Sequence, residues 1–422
     1  MIKKIVIVLL LIASLNAQTA IPPSAGDGTE SNPYQITTLE NLYWITADPI
    51  NRDDHYIQIA DINAAETAAW FPTDTGGFYG WEPILHFAGS YDGQGYIIDS
   101  LYIFRDTTFV GFFKDVYGDE SIISNLGLTN VRITGGDYVG GLTGVALTQT
   151  VVNYCYCTGS ITGNNYVGGL TGNNVLSEIN YCYTDVTIKA NGRAGGLSGW
   201  NSLSSSISNC YSSGSVSSEG GRCGGLVGWA SDSTVSFCYS TCSVNGAEDI
   251  GGLIGYKSYL ATTRNSFWDM ETSGLDSSAG GTGRTTAEMK TQSTYTDSGW
   301  NFIDTWVISP GYNSGYPILR WQVPGVGLEE QNLIPHEVSL SQNYPNPFNP
   351  TTIISYAIPE DSNVKLSIYD ISGHLVEALV DKYHQAGQYN VKWNASKYSS
   401  GIYISRLESS YGTHSRKMVL IK

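Results

Sequence analysis

The amino-acid sequence predicts an all-β protein: a parallel β-helix or β-roll solenoid of about six 28-residue turns, followed by a C-terminal immunoglobulin-like β-sandwich. Three observations support this prediction. One glycine-rich phrase returns at a nearly constant interval, a second phrase keeps step with it, and longer alternating strands begin after residue 335. A fixed period of this size is typical of stacked repeats, because one repeat alone cannot bury its apolar face.

The first phrase is a glycine pair followed by leucine. It occurs five times, and its first glycines are separated by 28, 27, 29 and 27 residues. A degenerate sixth copy has its glycine at Gly111, 29 residues upstream. Equivalent residues of stacked parallel strands lie about 4.8 Å apart, so we expect the pairs to form a row along the solenoid. The paired glycines are Gly140, Gly141, Gly168, Gly169, Gly195, Gly196, Gly224, Gly225, Gly251 and Gly252.

The second phrase is a cysteine followed by tyrosine, which recurs at intervals of 27, 28 and 28 residues. Valine or isoleucine stands three residues before each cysteine, in short runs bounded by Gly, Ser, Thr and Asn. Such runs indicate strands, because they are too short for a helical stripe. The tyrosines share the parity of those apolar residues, so we predict that they point into the solenoid. They are Tyr156, Tyr183, Tyr211 and Tyr239.

Breaks in the repeat and changes in composition predict six segments. In order they are a signal peptide (1–17), an N-terminal cap (18–105), GLxG-type repeats (106–268), a C-terminal cap (269–323), a linker (324–335) and a terminal domain (336–422). The signal peptide is indicated by Lys3 and Lys4 before an apolar run that is too short to span a membrane. Short helices are expected near Thr38 in the first cap and between Thr285 and Thr291 in the second.

Charge and composition limit the classes of function. The 422-residue chain has 38 Asp and Glu against 22 Lys and Arg, a net charge of −16 that argues against binding nucleic acid. No later stretch approaches the roughly 18 apolar residues of a membrane-spanning helix, so we expect no transmembrane segment in the mature chain. The 48 glycines, 29 tyrosines and only 14% charged residues are typical of an extracellular β-rich protein.

The repeat resembles the GLUG motif of bacterial surface proteins. The resemblance rests on GGLxG with its following NCYS-like segment, and on the flanking phrases GTESNPYQITTLENLYWI and GYPILRW. It covers about residues 26–321 and implies a repeat architecture. It does not imply a ligand, because such repeats occur in adhesins, in large exoproteins and beside unrelated catalytic domains.

The terminal domain resembles the Por-type (type A) C-terminal sorting domain of the type IX secretion system. The matching phrases are NYPNPFNPTTIISY, AGQYNVKWNA, SSGIYISRL and KMVLIK. The resemblance implies transient binding to the type IX machinery, passage through the outer membrane, and a final location outside the cell or on the outer-membrane surface. The motif residues are Asn346, Pro347, Phe348, Asn349, Pro350, Gly401, Tyr403, Lys417 and Lys422.

The residues of the repeats argue against catalysis. No histidine lies between His86 and His336, so the commonest general base is missing there, and the acidic residues fall at different phases of the repeat. We therefore predict that the protein is not an enzyme and has no cofactor. A carbohydrate-active β-helix enzyme, a polysaccharide lyase or glycoside hydrolase, is the alternative if acids from distant turns converge. For the seven cysteines we expect packed thiols or some disulfides instead of a metal site.

The residue after the GGLxG phrase becomes aromatic in the last three turns, at Trp200, Trp229 and Tyr256. We predict that these side chains form one column and that, if exposed, they bind a surface glycan or a host or neighbour-cell protein. The hypothesis is therefore a secreted, surface-displayed adhesin or glycan- or protein-binding module. A structural surface spacer is the second alternative, and burial of the three rings would favour it.

Overall fold

The computed structural model describes residues 18–118, 121–309, 311–323, 338–340, 342–343, 345–359, 361–384, 387–410 and 412–422. The predicted signal peptide and linker lie outside these residues. The chain divides into two units, one ending at Val323 and the other beginning at Pro324.

The first unit is a parallel β-solenoid with three walls. In each turn the chain passes through wall A after the glycine pair, then through wall B and wall C. Within the described residues, walls A, B and C contain six, nine and eleven strands. Wall A comprises Phe113–Val116, Thr143–Ala146, Thr171–Val175, Ser198–Ser202, Val227–Ser231 and Ile254–Lys257. Wall B comprises Tyr34–Ile36, His55–Gln58, Ser90–Asp92, Ile122–Ser124, Val151–Asn153, Glu178–Asn180, Ser206–Ser208, Thr234–Ser236 and Thr262–Arg264.

Wall C is the longest wall, and its strands continue from before the repeats to beyond them. It comprises Ile62–Asn63, Ile97–Asp99, Tyr102–Arg105, Gly127–Gly135, Tyr156–Gly163, Tyr183–Ala190, Tyr211–Ser218, Tyr239–Ser240, Ser243–Asn245, Phe267–Asp269 and Thr282–Arg284. Residues before the first repeat thus supply strands to both wall B and wall C.

The glycine pairs lie at the corner between walls C and A, where a narrow fourth sheet forms. Its strands are Val167–Gly168, Ala194–Gly195, Cys223–Gly224 and Ile250–Gly251, and the first glycines of these pairs stand opposite each other. A Cβ on Gly168 would overlap the carbonyl oxygen of Thr171, and one on Gly169 would overlap that of Gly196. Glycine is therefore required here because backbone touches backbone. The predicted row of glycines and the solenoid fold are confirmed.

The core consists of columns of similar side chains. Val152, Ile179, Ile207 and Val235 form one such column in wall B, and all four are fully buried. Burying each of these side chains contributes about 1.5–3 kcal/mol, so the stacking of turns is driven mainly by apolar burial.

The N-terminal end carries helix α1 (Leu39–Ala47) and the 3₁₀ turns Pro49–Arg52 and Ala65–Ala69. Helix α1 begins where the sequence predicts, because the hydroxyl of Thr38 accepts a hydrogen bond from the amide of Asn41 at 3.3 Å. Leu39, Leu42 and Ile45 are buried in the solenoid core.

Beyond Asp269 the chain returns along the outside of the solenoid and adds a last strand to wall C at Thr282–Arg284. This return segment, residues 270–322, contains helices α2 (Met270–Ser273), α3 (Thr286–Met289) and α4 (Gln292–Thr296), and a hairpin of Trp306–Val307 with Ile318–Leu319. It also contains the 3₁₀ turns Asn313–Gly315 and Arg320–Gln322. Helix α3 has a capping box between Thr285 and Glu288, inside the predicted helical stretch. Among the described residues, no helix has both the length and the apolar character to cross a membrane.

The second unit consists of two antiparallel sheets. One contains Ser339–Leu340, Thr351–Ile358 and Gly387–Asn394, and the other contains Ser362–Asp370, Leu375–His384, Gly401–Ser409 and Gly412–Leu420. Their inner faces share a core that includes Ile354, Leu366 and Trp393. The predicted C-terminal β-sandwich is confirmed.

Candidate functional site

Aromatic rings form a continuous column along the outside of the solenoid, which we call the aromatic band. The three predicted residues share one row, because Trp200 stands opposite Trp229 and Trp229 opposite Tyr256. The band also includes rings that the sequence analysis missed, at Phe109, Tyr138 and Tyr166. Successive centroids are 5.1, 4.6, 5.1 and 4.7 Å apart from Phe109 to Trp229, and 6.2 Å apart from Trp229 to Tyr256.

The band crosses from one repeat position to another. Phe109, Tyr138 and Tyr166 occupy the corner before the glycine pair, with φ near +60°. In the next two turns that corner carries Arg193 and Arg222, and tryptophan appears in wall A instead. A search at a single repeat position therefore finds only three of the six rings. The signal for the other three was the aromatic residue that precedes VG in the repeat phrase, at Phe109, Tyr138 and Tyr166.

Two arginines lie over the rings of the band. The guanidinium of Arg193 is 4.8 Å from the centroid of Tyr166 and 5.2 Å from that of Trp229. The guanidinium of Arg222 is 4.7 Å from Trp229 and 4.4 Å from Tyr256. Cations at these distances are attracted by the negative ring faces. A guanidinium stacked in this way keeps its in-plane N–H donors available for a ligand.

Neighbouring groups cover the faces of the inner rings of the band. Trp200 and Trp229 are nearly parallel, at 5°, and both are half-buried, whereas Tyr256 at the end of the band is 36% exposed. Burial and the neighbouring Tyr166 raise the pKa of Tyr138, which keeps this phenol protonated. The band therefore combines aromatic rings, phenol groups and guanidinium groups on one surface of the solenoid.

A groove of about 450 Å³ lies beside the two arginines. Its lining includes Arg193, Arg222, Asn165, Asn191 and Asp249. Asp249 lies 3.5 Å from Nε of Arg222 and so neutralises part of its charge. Within the described residues Arg193 makes no such ion pair.

The tyrosine column of wall C points outward, so the prediction that it faces the interior is wrong. In each turn a residue with φ near +54°, such as Tyr154 or Tyr181, precedes the cysteine and interrupts the alternation of sides. The cysteine then faces the core and the next tyrosine faces out. The return segment covers this column: the hydroxyl of Tyr239 donates to Pro317 O at 2.5 Å, and Trp321 Nε1 donates to Tyr181 O at 3.2 Å.

The cysteines are buried thiols. All seven are free and lie inside the solenoid, with Cys155, Cys182, Cys210 and Cys238 in one row. Burial raises the pKa of Cys157 to about 12, so this thiol stays protonated. Among the described residues, no three His, Cys, Asp or Glu side chains lie together in a way that could hold a metal ion.

One acid–base pair lies near the start of wall A. Nδ1 of His86 is 2.6 Å from Oδ2 of Asp115, and the amide of His86 donates to Oδ1 at 3.1 Å. Asp115 stands in register with Val145, in the same row that later carries Trp200. His86 and Asp115 are 29 positions apart in the sequence, and this pair was not predicted. The pair can exchange a proton but has no nucleophile beside it in the described contacts.

The sorting-domain motif residues come together at one end of the terminal domain. Oδ1 of Asn346 accepts the amide of Val419 at 2.8 Å, and the buried Phe348 bridges to Leu420. Further contacts join the same region: Asn346 Nδ2 to Lys417 O at 3.3 Å, Ala395 N to Pro350 O at 2.9 Å, Gly401 opposite Leu420, Tyr403 hydroxyl to Ser399 O at 2.8 Å, and Lys422 Nζ to Ser396 O at 2.6 Å. Pro347 and Asn349 are exposed. The NPFNP loop thus clasps the last strand.

The fold defines a class: repeat β-solenoid proteins with a separate C-terminal β-sandwich. Comparison with protein families agrees. Residues 342–422 match the secretion system C-terminal sorting domain, and residues 190–217 match the GLUG motif. The chain therefore carries a GLUG repeat and a type IX sorting domain, which indicate an exported protein with a cell-surface or extracellular location.

Known proteins that resemble the chain include halomucin and a solved structure. Halomucin of Haloquadratum walsbyi is 35% identical over 315 residues, which make up 71% of this chain but only 3% of halomucin. A solved structure from Bacteroides ovatus, described as a "putative immunoglobulin A1 protease", aligns with a TM-score of 0.54 and 19% identity over 73% of this chain and all of that one. This likeness shows the β-solenoid fold alone.

Proposed function

We propose that the protein is a non-catalytic adhesin, exported by the type IX system and displayed at the cell surface, whose aromatic band contacts a glycan or a protein. One contrast supports this proposal. The solenoid has two outward aromatic columns, and the return segment covers the one in wall C, where Tyr239 is fully buried. The described residues provide no such cover for the band.

The composition of the band also supports a binding role. Aromatic residues and arginine are enriched in the buried centres of protein interfaces, whereas lysine and acidic residues are depleted there. The band combines indole, phenol and guanidinium groups on a rigid wall. Binding therefore costs little conformational entropy at the site, because neighbouring rings and strands already fix these side chains.

An attachment assay with paired variants tests the proposal. Cells that express Tyr256→Ala/Arg222→Ala in place of the wild-type protein should attach to the host or neighbour surface at least several-fold less well. The matched control is Tyr96→Ala/Arg132→Ala. Tyr96 is exposed to the same 36% as Tyr256, and Arg132 also lies over a ring, but both stand outside the band.

Equal attachment by the band variant, the control and a deletion strain would refute the adhesin. That result would favour the surface spacer, which the paired ring faces of the band already suit. For the enzyme alternative, His86 and Asp115 are an acid–base pair in direct contact. We expect no new reducing ends or unsaturated products when the purified protein is incubated with a polysaccharide panel; sustained product release that Asp115→Asn abolishes would contradict the non-catalytic proposal.

A further inference from the structure

The outer face of wall C carries a second column, which is polar and lies apart from the aromatic band. It is formed by one residue from each of six strands that stand in register. Five strand-to-strand steps separate its ends, which corresponds to about 24 Å. The members are Phe104, Thr134, Thr162, Lys189, Ser217 and Asn245. We call this row the polar column.

The polar column forms the floor of a groove of about 670 Å³. Asn164, Asn191 and Glu219 line it where the strands end, and Asp106 lines it near Phe104. The groove reaches the arginine-lined groove, because Asn191 lines both. It therefore has the shape to hold a linear molecule along the solenoid axis.

Much of the hydrogen-bonding capacity of the floor is free. In the described part of the chain, the hydroxyls of Thr134 and Thr162, the ammonium of Lys189 and the side-chain carboxamide of Asn245 have no protein partner. Asn191 Nδ2 donates to Asn164 Oδ1 at 2.9 Å. The second N–H and the Oδ1 of Asn191, and the Nδ2 group of Asn164, remain available to a ligand. The floor of the groove therefore offers both donors and acceptors.

Phe104 gives one end of the groove an open ring. Its side chain is 47% exposed, and no aromatic or cationic group stacks on it among the described residues. In this it differs from the inner rings of the band, whose faces are covered. An uncovered face can pack against the apolar face of a sugar ring.

These features select the class of ligand. Sugar hydroxyls both donate and accept hydrogen bonds, which suits a floor that offers both donors and acceptors. Lys189 is balanced by Asp106 and Glu219, so the groove has no excess positive charge for an acidic chain. An extended peptide would need a free strand edge, but the wall C strands Tyr156–Gly163 and Tyr183–Ala190 are paired on both sides.

We infer that the groove over the polar column binds a neutral, linear oligosaccharide that lies lengthwise, with one sugar ring packed on Phe104. The inference rests on the proposed function only for display of the solenoid at the surface. It names a site distinct from the band and a class of ligand for it.

Titration calorimetry of the purified full-length protein tests the inference. The probes are neutral hexasaccharides (cello-, xylo-, manno- and laminari-hexaose) and acidic ones (oligogalacturonate and oligoalginate). We expect at least one neutral hexasaccharide to bind, with an affinity that rises with chain length until the groove is filled and depends little on salt. Phe104→Ala/Thr162→Val should weaken binding at least tenfold. Thr187→Val, an exposed residue on a wall C strand outside the groove lining, is the matched control and should leave binding unchanged.

Other outcomes would overturn the inference in distinguishable ways. Salt-sensitive binding of acidic probes alone would refute the neutral class. Binding that Tyr256→Ala/Arg222→Ala weakens while Phe104→Ala/Thr162→Val does not would move the site to the band and leave the adhesin proposal standing. No binding of any probe by the folded wild-type protein would refute the glycan groove, and the attachment assay would then decide the adhesin separately. Thermal unfolding confirms that each variant is folded.

Discussion

Replacing Gly196 by alanine tests whether successive turns touch through their backbones. The amide of Gly196 donates to the carbonyl of Gly225 in the next turn at 3.1 Å, and an added Cβ would overlap that same oxygen. It would also lie 2.8 Å from Cβ of Ser212. Neither neighbour can yield without moving a strand, because the Gly225 carbonyl is backbone and Ser212 lies inside wall C.

The expected cost follows from two opposing terms. Forcing a methyl group into a packed site costs about 1–3 kcal/mol, and the close approach to backbone places Gly196→Ala at the upper end. Reduced freedom of the unfolded chain offsets about 0.4–1 kcal/mol. We therefore expect the free energy of unfolding to fall by about 2 kcal/mol.

Gly77→Ala is the matched control. Its φ is not in the left-handed region, and an added Cβ would meet only Thr73 Oγ1, at 3.6 Å. This variant should gain about 0.4–1 kcal/mol from the unfolded-state term alone. Urea unfolding followed by tryptophan fluorescence measures both, because all tryptophans except Trp393 precede residue 324. If Gly196→Ala proves as stable as Gly77→Ala, the close stacking of turns at the glycine corner is refuted.

Further predictions concern the return segment, the thiols and the terminal domain. Trp306 is fully buried against wall C, so Trp306→Ala should lower the free energy of unfolding by about 3–5 kcal/mol in the same urea assay, and a loss below about 1 kcal/mol would contradict the packing. In the native protein a thiol reagent should label almost none of the seven cysteines, whereas in denaturant it should label all seven. Rapid labelling of the native protein would show that the thiols are accessible. Burial and then Lys382 lower the pKa of His384 below 6.5, so the unfolded state takes up the proton first as pH falls. The terminal domain should therefore be most stable above pH 6.5 and lose stability towards pH 5, by at most about 1.4 kcal/mol per pH unit, and His384→Phe should flatten that dependence in thermal unfolding.

The register of the solenoid could be predicted because each turn carries the same residue types at the same positions. Gly168, Gly195 and Gly224 recur where only glycine fits, and the apolar column from Val152 to Val235 repeats where the core must be filled. Each signal needs only the period and the size of the side chain. The helix starts at Thr38 and Thr285 were likewise visible, because capping is a contact between neighbours in sequence.

The side on which the tyrosines lie could not be predicted from alternation. Side chains alternate between the two faces only along one uninterrupted strand. The residue before each cysteine adopts a left-handed conformation, so the side chains after it lie on the face opposite to the one that alternation predicts. Asparagine, which tolerates this conformation, stands at the corner in some turns (Asn125, Asn209 and Asn265), but Tyr154 and Tyr181 hide it in others, so the left-handed corner was not recognised. The cover over the column was also hidden, because Trp321 meets Tyr181 across 140 residues.

The two aromatic columns together explain why the band is the better candidate for binding. Exposing an aromatic ring to water is unfavourable, so a group that packs on an outward ring stabilises the protein. For the wall C column the chain itself supplies that partner: Trp300, Trp306 and Trp321 pack there and donate their indole N–H groups to wall residues. For the band the described chain supplies only stacking of the rings on each other and on Arg193 and Arg222, and Tyr256 stays exposed. This contrast, between a column that the chain covers and one that the described chain leaves open, is what supports the proposal that a partner binds the band.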